Sequence, residues 1–497
     1  MTRVFLVLAA AMLVVPVQSC GHVSGAPATP VGPGNPGAPA TMTKSSGDLQ
    51  SGPVSAALAT PLSVTITDAS GNVVSGVTVN WAVVTGGGLL GAPTSVTNSL
   101  GVATMTWTLG ATLGPQTATA TVAGLTGSPA TFGATAVTVF SLASLARGAY
   151  HTCGLTTGGA AYCWGSDSIG QLGTGDTINR STPTRVVGGL VFASLTLGLR
   201  HTCGLTAGGA AYCWGHNGYG ELGDGTTTNR LTPTPVGGGL AFANLSAGFD
   251  YTCGLSTAAA AYCWGDNSNG QLGDGTTTSH STPAPVAGGL VFTSLTASGF
   301  SCGLTTGGTA YCWGSNLFGS LGDGTRTDRH SPTPVAGGLV FASLMSSGSF
   351  ACGLTTGGAA YCWGNNTYGA LGDGTWADNP TTPTKIASSL VFASLELGGG
   401  HNCGLTAGGV AYCWGDNDYG EVGDGRVGNG TTGPSRGVVL PAPVSGGLLF
   451  DSLAPGFFHT CGLTTAHAVY CWGYNFYGQV GDGSTTDRSV PTHVISP

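Results

Sequence analysis

Charge is scarce in this chain: 13 Lys and Arg and 21 Asp and Glu are spread over 497 residues. So few cations cannot coat a broad face, which excludes the electrostatic footprint of a nucleic-acid binder. The formal net charge of −8 is what plain solubility asks for. Cysteines never occur as C-x-x-C, so paired zinc-ligand spacings are missing. Lys/Glu-rich stretches with helical period are absent. Beyond the first twenty residues, no segment is long and apolar enough to span a bilayer. What the chain does have is 89 Gly and 26 Pro alongside 41% hydrophobic residues. Disordered chains lack that apolar content, so the glycines read as tight turns in a folded β protein.

Residues 1–19 carry Arg3, an apolar run from Val4 to Val15, and VQS before Cys20. A charged start, a short apolar run and a small residue before the cut predict a secretory signal. VQSC resembles a bacterial lipobox, which implies lipidation of Cys20; ordinary cleavage with a free Cys20 is the alternative, because Gln18 departs from the pattern. Gly21 in place of Asp implies the outer membrane or cell surface. Residues 20–51, with GAPATPVGPGNPGAPA, are too poor in core residues to fold and read as a tether.

Residues 52–137 change character. PLSVTITD, VTVNWAVV, GVATMTWTL and TATATVAG alternate with period two between Gly, Asn and Pro turns, which predicts an antiparallel β-sandwich with Trp81 and Trp107 in its core. The wording SGPVSAALATPLSVTITDASGNVVSGVTVNWAV resembles bacterial immunoglobulin-like domains of the invasin and intimin type, which implies a surface spacer or adhesive module. Gly86, Gly88 and Gly91 match G-x-G-x-x-G, but PTSVTNSLG follows, which is turn and strand rather than the helix a dinucleotide needs. No cofactor is expected.

From 138 to 497 one unit of about fifty residues recurs, its Trp standing at 164, 214, 264, 313, 363, 414 and 472. Each unit has the content of one four-stranded propeller blade. The string HTCGLTxGGxAYCWGxNxxGQLGDGT resembles the regulator-of-chromosome-condensation repeat family. The resemblance implies an all-β fold with a seven-bladed propeller after the small sandwich. The last unit ends at TPTHVISP without a following GGLVFASL strand. The expectation is that Val137–Leu145 completes that last blade and closes the ring.

Fourteen cysteines share one spacing of ten residues. With a three-residue turn at Thr157, Gly158 and Gly159, Cys153 faces Cys163 across a hairpin, at a separation a disulfide can bridge. The same register predicts Cys203–Cys213, Cys253–Cys263, Cys302–Cys312, Cys352–Cys362, Cys403–Cys413 and Cys461–Cys471, in an oxidising compartment. The rival is metal binding by His151, His201, His401 and His459, two residues before a Cys. Tyr251, Phe300 and Phe350 stand at the matching positions, so these rings are expected to pack, and no metal is expected.

Catalytic signals are weak. Gly299-Phe300-Ser301-Cys302-Gly303 mimics a nucleophile elbow, but in repeat register it is strand. Asp224, Asp274, Asp323, Asp373, Asp424 and Asp482 lie in G-D-G turns and lack the oxygen set of a calcium loop, so each is expected to bond its own turn. The chain reads as non-enzymatic, with no catalytic residue.

Two features break the repeat. Residues 426–443 form an inserted loop with Arg426, Asn429 and Arg436 as possible contacts. Five residues after each Trp stand Tyr219, Phe318, Tyr368, Tyr419 and Tyr477, with Ile169 and Asn269 in the other units, able to line a recognition face or to pack within the blades.

The expectation is a monomeric, non-catalytic cell-envelope lipoprotein. It would bind a protein or glycan partner and touch the membrane only through its lipid anchor. A secreted inhibitor of the β-lactamase-inhibitor type, the guanine-nucleotide exchange named with the family, and an extracellular lyase or hydrolase are the alternatives.

Overall fold

Period-two alternation becomes sheet wherever one face can be buried. In the strand Thr78–Thr85, Val79 and Trp81 are buried while Thr78, Asn80 and Ala82 are exposed. The structure, a computed structural model, describes residues 37–58, 60–137, 140–376, 379–428 and 437–497. The signal segment with Cys20, and Asn429 and Arg436, lie outside the described residues. Two compact units result, Met1–Thr138 and Val139–Pro497. Every described element is a strand, and no described helix exists to cross a membrane.

In the first unit, a three-stranded sheet orders Pro39–Ser46, Leu62–Asp68 and Val102–Met105. A five-stranded sheet orders Gln50–Pro53, Ala130–Val137, Gly114–Thr121, Thr78–Thr85 and Thr94–Val96. One core lies between them, built from Leu62, Val64, Ile66, Val79, Trp81, Trp107 and Phe132. Two corrections follow. Residues 39–46 and 50–51, read as tether, belong to strands of this core, and Gln50–Pro53 runs parallel to Ala130–Val137 in a unit expected to be an antiparallel sandwich. Gly86, Gly88 and Gly91 flank the two-residue strand Leu89–Leu90, and no helix follows.

In the second unit each repeat folds as one antiparallel four-stranded sheet. The first consists of Ser144–Arg147, His151–Leu155, Ala161–Gly165 and Arg180–Arg185. Seven such sheets follow one another, and their first strands contact in a closed cycle that joins the seventh sheet to the first. The second strand His151–Leu155 is buried at every residue, because both of its faces meet neighbours. The cores therefore lie between sheets. Cys153, Leu155 and Cys163 of the first sheet pack with Phe192 and with Leu197 and Trp214 of the second.

The recurring Trp locks each junction. Trp214 Nε1 donates to the Gln171 carbonyl at 3.0 Å, Trp264 to Glu221 at 2.9 Å, and Trp164 to Gln479 at 2.9 Å around the closure. Gly223 sits at φ +72°, and a Cβ there would stand 2.6 Å from Trp264 Nε1, so the indole dictates glycine.

The expected closure is corrected. Ser144–Arg147 pairs with His151–Leu155 in its own sheet, and Phe450–Pro455 supplies the first strand of the seventh. Closure is by packing and hydrogen bonds. Leu142 and Trp164 enter the core of Cys461, Leu463 and Cys471, and Thr152 Oγ1 meets His459 Nε2 at 2.7 Å. Each repeat carries its own four strands, so no strand needs to be exchanged.

Candidate functional site

Antiparallel connectivity places functional residues before any side chain is considered. In each sheet the turn between the first two strands and the loop between the last two emerge at the same end. Those turns and loops together form one face of the ring.

The loops on this face are rigid for a repeated reason. Asn217 Nδ2 donates to Asp224 Oδ1 and to the carbonyls of Thr226 and Thr228, and Asn217 Oδ1 accepts Leu222 N–H at 3.0 Å. Asp224 Oδ1 accepts from Thr226 N and Oγ1, while Oδ2 accepts Arg230 Nε at 2.8 Å. Asp323 with Arg329 and Asp482 with Arg488 repeat the arrangement. Each carboxylate is engaged by its own loop. Arg426 likewise donates to Asp424, at 2.6 Å through Nε, although its side chain is 68% exposed.

The four histidines before the cysteines are fully buried. His151 Nε2 meets Thr202 Oγ1 at 2.8 Å, His201 meets Thr252 at 2.9 Å, His401 meets Thr460 at 2.7 Å, and His459 meets Thr152. Each Thr hydroxyl also donates to a carbonyl, as Thr202 does to Gln171 at 2.8 Å. The hydroxyl has one proton, so Nε2 must be the protonated nitrogen of a neutral imidazole. Burial pushes His151, His401 and His459 down to about 3 and His201 to about 4. Where Tyr251 replaces His, Ser301 answers it at 2.9 Å; where Phe300 does, Ala351 stands at the next position. The rings are junction elements spread around the ring rather than gathered on one ion. Ser301, the mimic of a nucleophile, is buried and donates to the Gln271 carbonyl.

Each sulfur pair faces across its hairpin and is bonded: Cys153–Cys163, Cys203–Cys213, Cys253–Cys263, Cys302–Cys312, Cys352–Cys362, Cys403–Cys413 and Cys461–Cys471. Partners are in register, Cys153 opposite Cys163.

On the loop face, two regions break the symmetry. At the second and third sheets, His216 Nδ1 contacts Glu221 Oε1 and lies 3.9 Å from Asp250 Oδ1. Glu221 is fully buried, and its other oxygen accepts Tyr219 N–H at 2.9 Å. The hydrogen bond from Glu221 raises His216. Burial and then the Glu221 charge raise Asp250. The corresponding residues of the sixth loop are Asp416 and Glu421, followed by Phe458. There burial and then the Asp416 charge push Glu421 well up.

At the seventh sheet the face turns aromatic. Tyr419 and Tyr474 have ring centroids 4.7 Å apart, Tyr150 stacks on Phe458 at 5.6 Å and touches Tyr477 at 5.6 Å, and Phe476 meets Tyr477 at 5.0 Å. Phe457 joins Phe458 at 5.2 Å and reaches Phe249 of the third sheet at 5.5 Å. Phe476 is 64% and Tyr419 37% exposed.

A cavity at the centre of the ring is lined by the first strands and by Phe249 and Phe457. Arg147 stands in it, 3.4 Å from Glu396 and donating to the Leu397 carbonyl at 2.8 Å.

Of the aromatic positions singled out in the sequence, Tyr419 and Tyr477 join the cluster. Tyr219 and Tyr368 are exposed elsewhere on the face, and Phe318 is half-buried. Sequence reasoning missed Tyr150, Phe458 and Tyr474, which lie in different turns, and it missed the meeting of His216 with Asp250. A comparison of symmetry-breaking residues at equivalent repeat positions was the signal available for both.

Models of the regulator of chromosome condensation (RCC1) repeat match residues 143–171, 192–221, 242–271, 298–320, 392–421 and 451–479, and residues 158–205, 208–255, 260–305, 357–405 and 467–497. Probable E3 ubiquitin-protein ligase HERC4 of Homo sapiens is 32% identical over 107 residues, 22% of this chain and 10% of that protein. The mitochondrial RCC1 domain-containing protein RUG3 of Arabidopsis thaliana is 30% identical over 115 residues, 23% of this chain and 24% of that one. The chain thus spans a quarter or less of these relatives. Among solved structures, yeast RCC1 (Prp20) bound to Kap60 has a TM-score of 0.61 at 22% identity, covering 71% of this chain and 85% of the other. Prp20p of Saccharomyces cerevisiae, in a study of its binding to Gsp1p and histones, has 0.60 at 24%, covering 71% and 87%. Human WBSCR16 has 0.60 at 20%, covering 68% and 94%. All-β architecture of this propeller type is the common ground.

Proposed function

The chain belongs to the regulator of chromosome condensation repeat family, and from that premise we propose that it is a non-catalytic binding protein of the cell envelope. Each four-stranded sheet is one blade of a seven-bladed propeller. The loop face recognises a protein or glycan partner. The first unit is an immunoglobulin-like spacer, and Cys20 is the lipidated end that ties it to the outer membrane or cell surface of a bacterium.

One observation carries this reading. Tyr150, Tyr419, Phe458, Tyr474, Phe476 and Tyr477 gather on one face, with Phe476 and Tyr419 open to solvent. Exposed Tyr and Phe clusters anchor interfaces, and a ring adds affinity without much loss of rotamer freedom. Support for a protein partner also comes from the similar yeast propeller, which is solved with Kap60 bound. The cysteine pairs fit an exported chain.

Binding screens on a glycan array and on envelope proteins test it. Tyr419→Ala and Tyr477→Ala each weaken the captured partner about tenfold or more if they are hot spots, whereas Lys385→Ala on the fifth sheet leaves it unchanged. A partner bound equally by all three variants overturns the assignment of the face. Lipid labelling that persists in Cys20→Ser overturns the anchor.

A further inference from the structure

The His216 cluster is independent of the aromatic cluster and asks for its own explanation. Nδ1 of His216 and one carboxylate oxygen each of Glu221 and Asp250 all lie within 4.8 Å of one another. We propose that these three side chains bind one divalent transition-metal ion of the zinc class on the loop face.

Ligand atoms about 2.0–2.2 Å from a tetrahedral zinc stand roughly 3.2–3.6 Å from one another. Reaching that spacing requires His216 and Glu221, now in direct hydrogen-bond contact, to part slightly and Asp250, 3.9 Å from Nδ1, to draw in. One imidazole with two carboxylates suits zinc and its neighbours rather than calcium or magnesium, which prefer all-oxygen shells. Three protein ligands leave a fourth position for water or for a ligand oxygen.

The surroundings hold the donors in place. Tyr219 N–H fixes the second oxygen of Glu221 at 2.9 Å. His216 N–H donates to the Arg200 carbonyl at 3.0 Å, and Asp266 N–H donates to the Asp250 carbonyl at 2.9 Å. The Tyr219 bond orients a ligating carboxylate directly, while the two backbone bonds, which recur in other junctions, hold the loops that carry His216 and Asp250. Access is open, because the side chains of His216 and Asp250 are 21% and 31% exposed.

The competing account is an imidazolium shared by two acids. It satisfies Glu221 but leaves Asp250 at 3.9 Å, outside hydrogen-bond range. Its charged neighbours are Arg200, which opposes a second cation, and Asp266, which favours one. The combination is also unrepeated. The equivalent positions read Ser166, Gln171 and Arg200 in one junction and Asp266, Gln271 and Gly299 in the next. The His216–Glu221 contact has counterparts there, Gln171 donating to Ser166 at 3.2 Å and Gln271 to Asp266 at 2.7 Å; what does not recur is the acid at the Asp250 position, where Arg200 and Gly299 stand.

Calorimetric titration of the oxidised full chain with zinc chloride, and visible absorption with cobalt chloride, test the site. The expected result is one site with Kd below about 100 μM and cobalt bands of tetrahedral intensity. His216→Ala and Asp250→Asn should each weaken zinc about tenfold or more and remove the bands, while keeping the near-ultraviolet dichroism of the folded ring. His280→Ala, also paired to an acid, should change neither. No binding below that limit, or binding that survives either variant, overturns the proposal.

Discussion

Residues 39–137 and the seven sheets after them are both all-β, yet different forces hold them. The first unit has a single core with two tryptophans, Trp81 and Trp107, and neither Cys nor His anywhere in residues 37–137. The ring has no single core. It has a chain of junctions, each with an indole bonded to the preceding loop, an imidazole or another ring, and a disulfide. One unit is stabilised by non-local burial, the other by a local hairpin copied seven times and bonded to its neighbour.

Reduction breaks this comparison most sharply. Each disulfide closes a short loop worth about 2–3 kcal/mol in the chain-entropy model, with the total falling short of a simple sum. Hydrogen exchange followed peptide by peptide in dithiothreitol should show the ring opening while residues 60–137 stay protected. Equal loss of protection in both units would show that the staples do not distinguish them.

Acid comes next. The buried imidazoles remain neutral in the folded ring down to about 3–4. The unfolded chain takes up those protons below about pH 6.5. The unfolded state therefore binds more protons, and ring stability falls as pH drops from about 6.5 towards 3, by roughly 3–5 kcal/mol per imidazole. Urea midpoints at pH 7, 5 and 4 should decline for the ring and much less for the first unit. His201→Phe combined with Thr252→Ala, copying Phe300 with Ala351, should flatten the slope.

Trp107→Ala reverses the contrast. Emptying a fully buried indole site costs about 3–5 kcal/mol, enough to unfold the first unit while the ring melts as before. Calorimetry with two resolved transitions reads this directly.

The smallest effect sharpens the picture within the ring. Asp167 occupies the loop position held by Asn217 in the second sheet, and burial pushes it up to about 6. Above that pH its carboxylate is charged in a site built for an amide. Asp167→Asn should stabilise the ring by about 1–2 kcal/mol at pH 8 and by little at pH 4, where the folded carboxyl is protonated. A gain independent of pH would point away from the carboxylate charge.

Much of the ring was legible because its information is local. Cys153 faces Cys163 through a turn in which Thr156 N–H reaches the Ala160 carbonyl, and ten residues are enough to set that register. The first unit was less legible. Pro39–Ser46, PATMTKSS, looks like linker because only Met42 is buried. Closure was misread because the missing terminal strand suggested an exchange, whereas side chains from consecutive sheets already interlock without one. On the loop face, Tyr419 and Tyr477 were visible as repeat positions, but their neighbours Tyr150 and Phe458 were not.

By itself the sequence determined the repeated strands of the ring, their hairpin register and the facing of each cysteine pair, since hydrogen-bond spacing and turn geometry act over a few residues. Only the tertiary structure decided that His216 meets Asp250, 34 residues later in the chain, and that Tyr150 meets Tyr477 from the opposite end of the ring. Those meetings depend on sheets curving until first touches last, and no local interaction encodes a closed circle.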